Sequence, residues 1–405
     1  MHFPSERVTR EMRSEEAYLW YVPANGGEEL ALLIKAPTSS IKALIAGCAL
    51  KLVYGREESY LCAGARILDM PDSPISISKI QREAEEHSAL RRALHERRFP
   101  AFLFNEMDVC LAWTNVELDE EEALRVLNLL GDESQLYVGS FTEDASHSLD
   151  CFCVSVDQTL TRTYPKAHAI PIVEVSPTLD LWRTSNVSFI GVRGVHTITI
   201  DDKDEGEIFE RAVWASLESV FPLTLYKSPQ VKIGTKLREM TDVFSFYAYG
   251  SFLIEAKDLS VLHAGYERNQ DRRVRGVQKQ VKKAISQLVG ASKAFTRGES
   301  IFDANGNELP VARDQPPHCI VLITELMHSG DWKEIEAQLI EATRSTGAFF
   351  HLLDLREFIA LLKGSSGEAG RLDYNLMKRW EMFVETGSVH IRSRPAPKSS
   401  DERTL

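Results

Sequence analysis

The fold of the C-terminal half is decided by the stretch Thr241-Asp242-Val243-Phe244-Ser245-Phe246-Tyr247-Ala248-Tyr249-Gly250-Ser251-Phe252-Leu253-Ile254-Glu255-Ala256-Lys257. Two apolar runs meet near its middle, at Tyr249 and Gly250, which predicts a β-hairpin. Because side chains alternate across a strand, Glu255 and Lys257 should point to one face of the second strand. Its apolar residues Phe252, Ile254 and Ala256 should point to the other.

A second acid, Asp242, stands at the start of the first strand of this hairpin. Folding the hairpin should bring its carboxylate against Glu255 and Lys257. Two carboxylates beside one lysine can hold a hard divalent cation and support phosphodiester hydrolysis. The open alternative is an exposed ion pair at the edge of a sheet.

Composition describes an ordinary globular chain. Its 405 residues are enough for two or three domains, with 43% hydrophobic and 26% charged residues. No apolar run is long enough to span a bilayer, and Met1 to Arg13 is charged and lacks the apolar core of a secretory signal. The six cysteines include no CxxC pair, so we expect free, buried thiols in a reducing cytoplasm and no membrane partner.

Charge is distributed unevenly along the chain. The formal net charge is −12, yet the segment from Arg268 to Arg297 holds nine basic residues and one acid, Asp271, and so carries +8. Such a segment favours a polyanionic partner, because Lys and Arg neutralise phosphates. A solvated face balanced by neighbouring acids is the alternative. The basic residues are Arg268, Arg272, Arg273, Arg275, Lys279, Lys282, Lys283, Lys293 and Arg297.

Residues 1–197 are predicted to form an α+β domain. No catalytic constellation is evident in it, and Glu106, Asp108, His87 and His95 are interpreted as solvated surface. The helices are expected at Ile80–Arg97 and Asp119–Leu130. The strands are expected at Ala17–Val22, Leu30–Lys35, Ile41–Val53, Ala101–Phe104, Val109–Trp113, Cys151–Val156 and Pro171–Val175.

Residues 198–391 are predicted to form a second domain, a mixed sheet flanked by helices. The Pro- and Ser-rich residues 392–405 are predicted to be a disordered tail. Either Ser329 or Asp331 should cap the third of its four helices. The helices are expected at Glu207–Phe221, Val274–Phe295, Trp332–Arg344 and Leu355–Lys363, and two further strands at Cys319–Thr324 and Ala348–Leu353.

An acid on a helix, an Asp beginning a strand and an acid-x-Lys on the next strand form an ordered series: Glu210, Asp242, Glu255 and Lys257. The series resembles the PD-(D/E)xK nuclease superfamily, over roughly Glu205 to Lys363. One departure is Thr241, which stands where the family pattern has proline.

The resemblance implies an α/β restriction-endonuclease-like domain after the N-terminal α+β domain. It implies Mg²⁺, with Mn²⁺ able to substitute, bound by Asp242, Glu255 and the Ala256 carbonyl. It also implies that Lys257 orients the attacking water or stabilises developing charge. Beside two anions the pKa of this lysine should not fall, which favours the electrostatic role.

Two further family positions have competing candidates. Glu210 is the candidate helix acid, with Glu205, Glu207 and Glu218 as rivals. An auxiliary glutamine is assigned to Gln280, with Gln278 and Gln287 as rivals. The candidate nucleic-acid contacts are Arg272, Arg273, Arg275, Lys279, Lys282 and Lys283.

The resulting hypothesis is a cytoplasmic Mg²⁺-dependent nuclease acting on nucleic acid, with double-stranded DNA as the first candidate. Architectures of this family occur in prokaryotic restriction and defence and in repair. Residues 1–197 would supply recognition, regulation, a homodimer surface or a surface for a partner protein. The rivals are a non-catalytic nucleic-acid-binding or assembly module that keeps the fold, and a metal-dependent enzyme acting on another substrate.

Overall fold

The structure is a computed structural model, and it describes residues 5–70, 73–191, 194–200, 205–258, 270–327 and 330–393. The chain forms two compact units. The first is built mainly from residues 1–187. The second is built from 188–198, 202–260 and 271–405. Both contain helices and sheets, so the fold is mixed α/β.

The first unit contains a six-stranded sheet in which β1, β2, β6, β7 and β10 follow one another and β9 also pairs with β7. Only β2 and β6 pair in parallel within it. Its strands are β1 (Tyr18–Ala24), β2 (Glu29–Lys35), β6 (Arg98–Phe104), β7 (Cys110–Glu117), β9 (Thr178–Leu179) and β10 (Arg183–Thr184).

A second, antiparallel sheet of the first unit has the order β5-β4-β3-β8. Its strands are β3 (Leu50–Glu57), β4 (Tyr60–Ile67), β5 (Ile75–Gln81) and β8 (Ile172–Val175). The helices of this unit are α1 (Glu6–Ser14), α2 (Thr38–Ile45), α3 (Ala84–Glu96), α4 (Glu120–Leu130) and α5 (Glu143–Val156).

Two strand predictions in the first unit are wrong. The run Ile41–Val53 is split, because α2 occupies its beginning and β3 starts only at Leu50, after Gly47 at φ +101°. The run Cys151–Val156 is the end of α5. Thr142 precedes this helix and caps it, because its hydroxyl accepts from the Ala145 N–H. Two residues interpreted as surface, His87 and Glu106, are buried.

The second unit is organised around a five-stranded sheet of order β13-β16-β17-β19-β20. The first two pairings are antiparallel, and β17, β19 and β20 run parallel. The strands are β13 (Leu225–Lys227), β16 (Val243–Tyr247), β17 (Gly250–Lys257), β19 (His318–Ile323) and β20 (Phe349–Asp354). The predicted hairpin is therefore confirmed as β16 and β17.

The helices of the second unit are α6 (Glu205–Leu217), α7 (Gln270–Thr296), α8 (Lys333–Thr346), α9 (Leu355–Ser365) and α10 (Ala369–Thr386). Apolar residues of α7 and α8 bury against one face of the sheet in a continuous core. Smaller pieces are the pair β11 (Asn186–Gly191) and β12 (Gly194–Thr199), and the sheet of β14 (Gln230–Ile233), β15 (Lys236–Glu239) and β18 (Ile301–Phe302).

Two sequence predictions for the second unit concern the cap of α8 and the start of the C-terminal tail. The Asp331 carboxylate accepts from the Lys333 N–H at 3.0 Å, at the start of α8, and Ser329 lies outside the described residues. In the predicted tail, Arg392 forms two 2.6 Å bonds to Asp354, and Ser393 bonds to Glu357. Residues 394–405 lie outside the described residues. Among the residues described, no helix combines the length and apolar character that crossing a bilayer needs.

Candidate active site

The candidate site lies on β17, a central strand of the sheet. In the antiparallel pairing with β16, Ile254 is opposite Val243, so Asp242, one residue earlier, reaches the level of Glu255. On the other side β19 runs parallel, with Lys257 opposite Ile323. The residues of the hairpin therefore meet at the carboxyl ends of parallel strands, the edge where open α/β sheets place their ligands.

The three charged groups converge on one point. The Lys257 Nζ lies 2.9 Å from Asp242 Oδ2 and 2.9 Å from Glu255 Oε2. The Ala256 N–H also donates to Asp242 Oδ2, at 2.8 Å. The resemblance implied that the Ala256 carbonyl binds the metal, whereas this contact is made by the Ala256 amide.

Two hydrogen bonds fix the segment that carries Asp242, just before β16. The Thr241 hydroxyl donates to the Ile254 carbonyl at 2.7 Å across the hairpin. The Asp242 carbonyl accepts from the Ser228 N–H at 2.8 Å. Thr241, the departure from the family pattern, thus ties the two strands together through a hydroxyl that proline lacks.

The triad is enclosed by the protein. Glu255 is 2% exposed, and the Lys257 side chain is 20% exposed. This burial, together with the central position of β17, contradicts the alternative of an exposed ion pair at a sheet edge.

Burial and charge shift the titration of these groups. Burial, with the Asp242 carboxylate as the second cause, raises the pKa of Glu255 to about 7. Burial alone would lower the pKa of Lys257, but Glu255 and Asp242 outweigh it and raise that pKa. Lys257 is therefore a stable ammonium, as the sequence analysis expected, and is unsuited to act as a general base at neutral pH.

Helix α6 brings a third carboxylate towards the triad. Glu210 lies 3.8 Å from the Lys227 ammonium, and burial followed by the charge of Asp242 raises the pKa of its carboxyl group. Of its rivals, Glu218 is buried, and the side chains of Glu205 and Glu207 lie outside the described set.

The basic residues of α7 divide into two groups. Arg273 pairs with Glu325 at 3.1 Å, and Lys282 pairs with Glu334. Because Glu325 follows β19 by two residues, the first pair holds the start of α7 at the carboxyl edge of the sheet. The exposed group comprises Arg272, Arg275, Lys279, Lys283 and Lys293.

The contacts of the α7 glutamines do not single out one of them as the auxiliary residue of the site. Gln280 is half-buried and, within the described part of the chain, makes no hydrogen bond to the triad. Its rival Gln278 donates to the Asp331 carbonyl at 2.8 Å. Gln287 is exposed.

The structure also assembles a cluster that sequence reasoning missed. One ligand atom from each of Glu57, His147, Cys151 and His168 lies within 4.8 Å of the other three. The signal was the spacing of His147 and Cys151, four residues apart, which places two side chains on one face of a helix. Interpreting Cys151–Val156 as a strand concealed it.

Comparison with protein-family models, with curated proteins and with solved structures found no match for this chain.

Proposed function

We propose that the second unit is a Mg²⁺-dependent nuclease with Asp242, Glu255 and Lys257 as its catalytic residues, in a domain of the restriction-endonuclease-like class. The observation that carries this proposal is the Lys257 ammonium, bonded at 2.9 Å to both carboxylates. Two buried carboxylates aimed at one point repel each other, and the ammonium between them offsets that repulsion.

The donor set suits a hard divalent ion. Carboxylate oxygens are the ligands Mg²⁺ prefers, and the lysine ammonium marks where the two carboxylates already hold a cation. Asp242 and Glu255 would hold the metal, and Mn²⁺ would substitute for it. Bound there, Mg²⁺ would lower the pKa of a coordinated water and offset charge on the phosphate.

The protein side chains have separate tasks in this proposal. Lys257, displaced from between the acids, would remain charged and stabilise the negative charge that grows on the phosphate oxygens. Glu210, held near the triad with a raised pKa, would orient the water from the side of α6. Gln280 would serve as an auxiliary polar residue from its place in α7.

The proposed substrate is nucleic acid, with double-stranded DNA first, and the proposed location is the cytoplasm. The exposed cations of α7 support a phosphate backbone, because each neutralised phosphate releases a counterion. Restriction, defence and repair remain the proposed settings, with the first unit providing recognition, a partner surface or a homodimer surface.

The test is cleavage by the full chain. Plasmid DNA, linear duplex and single-stranded RNA are incubated with Mg²⁺, with Mn²⁺ and with EDTA. We expect metal-dependent cutting of DNA that falls at least about 1,000-fold in Asp242→Asn, Glu255→Gln and Lys257→Met. The matched control is Glu239→Gln, an exposed acid of β15 whose charge reaches the triad without contact.

Three outcomes would contradict the proposal. Triad variants that cut as well as wild type would exclude the site, and cutting that survives EDTA would exclude the metal. Binding of DNA without cutting would favour the non-catalytic module. That second candidate rests on the same ion pairs, because the Lys257 ammonium already binds both acids without a metal.

A further inference from the structure

A mixed nitrogen, sulfur and oxygen cluster occupies one end of the second sheet of the first unit. Glu57 is the last residue of β3, while His147 and Cys151 lie on α5. His168 follows the short 3₁₀ helix Gln158–Arg162 in the segment that leads to β8. Three separate parts of the chain therefore contribute to one small volume.

The distances match those of a metal centre. Cys151 Sγ lies 3.6 Å from His147 Nε2 and 3.5 Å from His168 Nδ1. A tetrahedral Zn²⁺ with bonds of about 2.3 Å to sulfur and about 2.0 Å to nitrogen separates such ligand atoms by about 3.5 Å. The two histidines therefore already stand from the sulfur at the separation that a shared zinc ion would impose.

The fourth side chain is a carboxylate with an unused oxygen. Glu57 Oε1 lies 3.0 Å from His168 Nε2, while Glu57 Oε2 is buried without a hydrogen-bond partner among the described residues. A buried carboxylate oxygen without a partner is costly, and a metal ion would remove that cost.

Burial raises the pKa of the Cys151 thiol, and one backbone bond opposes that rise. The His168 N–H donates to Cys151 Sγ at 3.4 Å, a bond that stabilises negative charge on the sulfur. Cys151 is buried over the small core of Val53, Cys62 and Phe152, while the His168 side chain is 60% exposed. Cys151 therefore lies on packed core residues, whereas His168 is open to solvent. An ion can reach the cluster from the side of His168.

We propose that Glu57, His147, Cys151 and His168 bind one Zn²⁺ ion. Thiolate and imidazole ligands select zinc over Mg²⁺, so this site differs in chemistry from the triad on β17 and does not depend on the nuclease proposal. On binding, the Cys151 thiol gives its proton to solvent and the sulfur bonds to the metal. The ion fastens residues 157–171 to α5 and to the end of β3.

The first test uses the full chain with Co²⁺ as a spectroscopic probe and Zn²⁺ as competitor. We expect one equivalent of Co²⁺ to give a near-ultraviolet sulfur-to-cobalt charge-transfer band and tetrahedral visible bands, which Zn²⁺ abolishes. Cys151→Ser should lose the charge-transfer band, and His168→Asn should weaken Zn²⁺ binding roughly 100-fold. A wild type without the band would overturn the proposal.

Two matched controls separate this site from other metal sites on the chain. Cys153→Ser removes the neighbouring thiol of α5, which is outside the cluster, and Asp242→Asn removes an acid of the triad. Both should keep the band. A band that survives Cys151→Ser but disappears in Cys153→Ser would overturn the assignment, as would a band that needs Asp242.

A second readout covers the case in which Cys151→Ser does not fold. Hydrogen exchange of residues 157–171 should slow when Zn²⁺ is added to wild type, and the same addition to His168→Asn should leave it unchanged. Because His168 is exposed, its replacement should not disturb the core. Equal protection of both proteins by Zn²⁺ would contradict the site.

Discussion

Glu255 lies in a buried site beside a second carboxylate and a lysine, and each of these features acts on its ionisation. Glu255 is almost fully buried, and its negative charge is opposed by burial and by Asp242 and favoured by Lys257. The balance leaves the pKa of Glu255 at about 7. Binding of a divalent cation at this point would favour the charged form and release a proton below neutral pH.

The raised pKa of Glu255 predicts a pH-dependent stability. Folded protein holds this proton up to about pH 7, whereas the unfolded chain loses it near 4.5, so stability is lost as pH rises between these values. Without metal, wild type should lose about 3 kcal/mol of unfolding free energy relative to Glu255→Gln between pH 4.5 and 8. Urea unfolding in EDTA at several pH values measures the difference.

Because the charge of Glu239 also raises the pKa of Glu255, the control for this experiment is Glu341→Gln, an exposed acid of α8. The difference in unfolding free energy between this control variant and wild type should not change over the same pH range. If the difference for Glu255→Gln did not change with pH either, Glu255 would have an ordinary pKa and the prediction would be wrong.

At the scale of elements, α7 combines a buried stripe with a charged outer face. Its apolar residues, among them Val281 and Leu288, lie in the core of the second unit. Arg273 and Lys282 pair with acids of the same unit, whereas the other five basic residues of the helix are exposed. The helix thus has two kinds of basic residue, one that positions it and one that is available to a partner.

This division predicts which cations contact DNA. Replacing Arg272, Arg275, Lys279 and Lys283 by Gln should lower DNA affinity and reduce the slope of log affinity against log salt by about 0.9 for each contacted phosphate. Fluorescence anisotropy with a labelled duplex at several salt concentrations measures both. The comparison variant is Lys282→Gln, whose ammonium pairs with Glu334; a slope change as large as that of an exposed residue would contradict the division.

Elements with one clear sequence signal were predictable. Helix α7 follows from helical spacing, because it has one buried side. The β16–β17 hairpin follows from its two apolar runs meeting at Gly250, since both strands are buried on both faces. The short apolar runs Ile41–Val53 and Cys151–Val156 were not, because buried helix and buried strand share that composition. In the second case the decisive signal was Thr142 and the two acids that follow it, nine residues before Cys151.

The candidate site was also predictable only in part. Alternation placed Glu255 and Lys257 on one face, and the hairpin brought Asp242 to them. Sequence could not supply the burial of Glu255, which depends on pairing with β19, some sixty residues later. Nor could it supply the cluster at Cys151, whose ligands come from β3, α5 and the segment before β8.

At the scale of the whole molecule, each unit has its own apolar core and its own cluster of ionisable side chains. The core of the first unit spans both of its sheets, and the core of the second packs α7 and α8 on the five-stranded sheet. The C-terminal segment belongs to the second unit through Arg392, which holds Asp354 with two bonds at the end of β20.

The Arg392 pair should contribute to the stability of the second unit. Asp354 is buried, and it also accepts from the Glu357 N–H to cap α9, so Arg392→Met leaves a buried charge with fewer partners. We expect a loss of about 3 kcal/mol in unfolding free energy by urea titration. The control Lys378→Met removes an exposed pair with Glu381 and should change stability by less than about 1 kcal/mol. Equal effects would show that the buried pair is not structural.

The amide of Ala256 donates to the Asp242 carboxylate. In an NMR spectrum of ¹⁵N-alanine-labelled protein, this one proton would resonate according to the charge its acceptor carries. Titration with Mg²⁺ would then be visible at a single backbone signal inside the site, in the absence of any substrate.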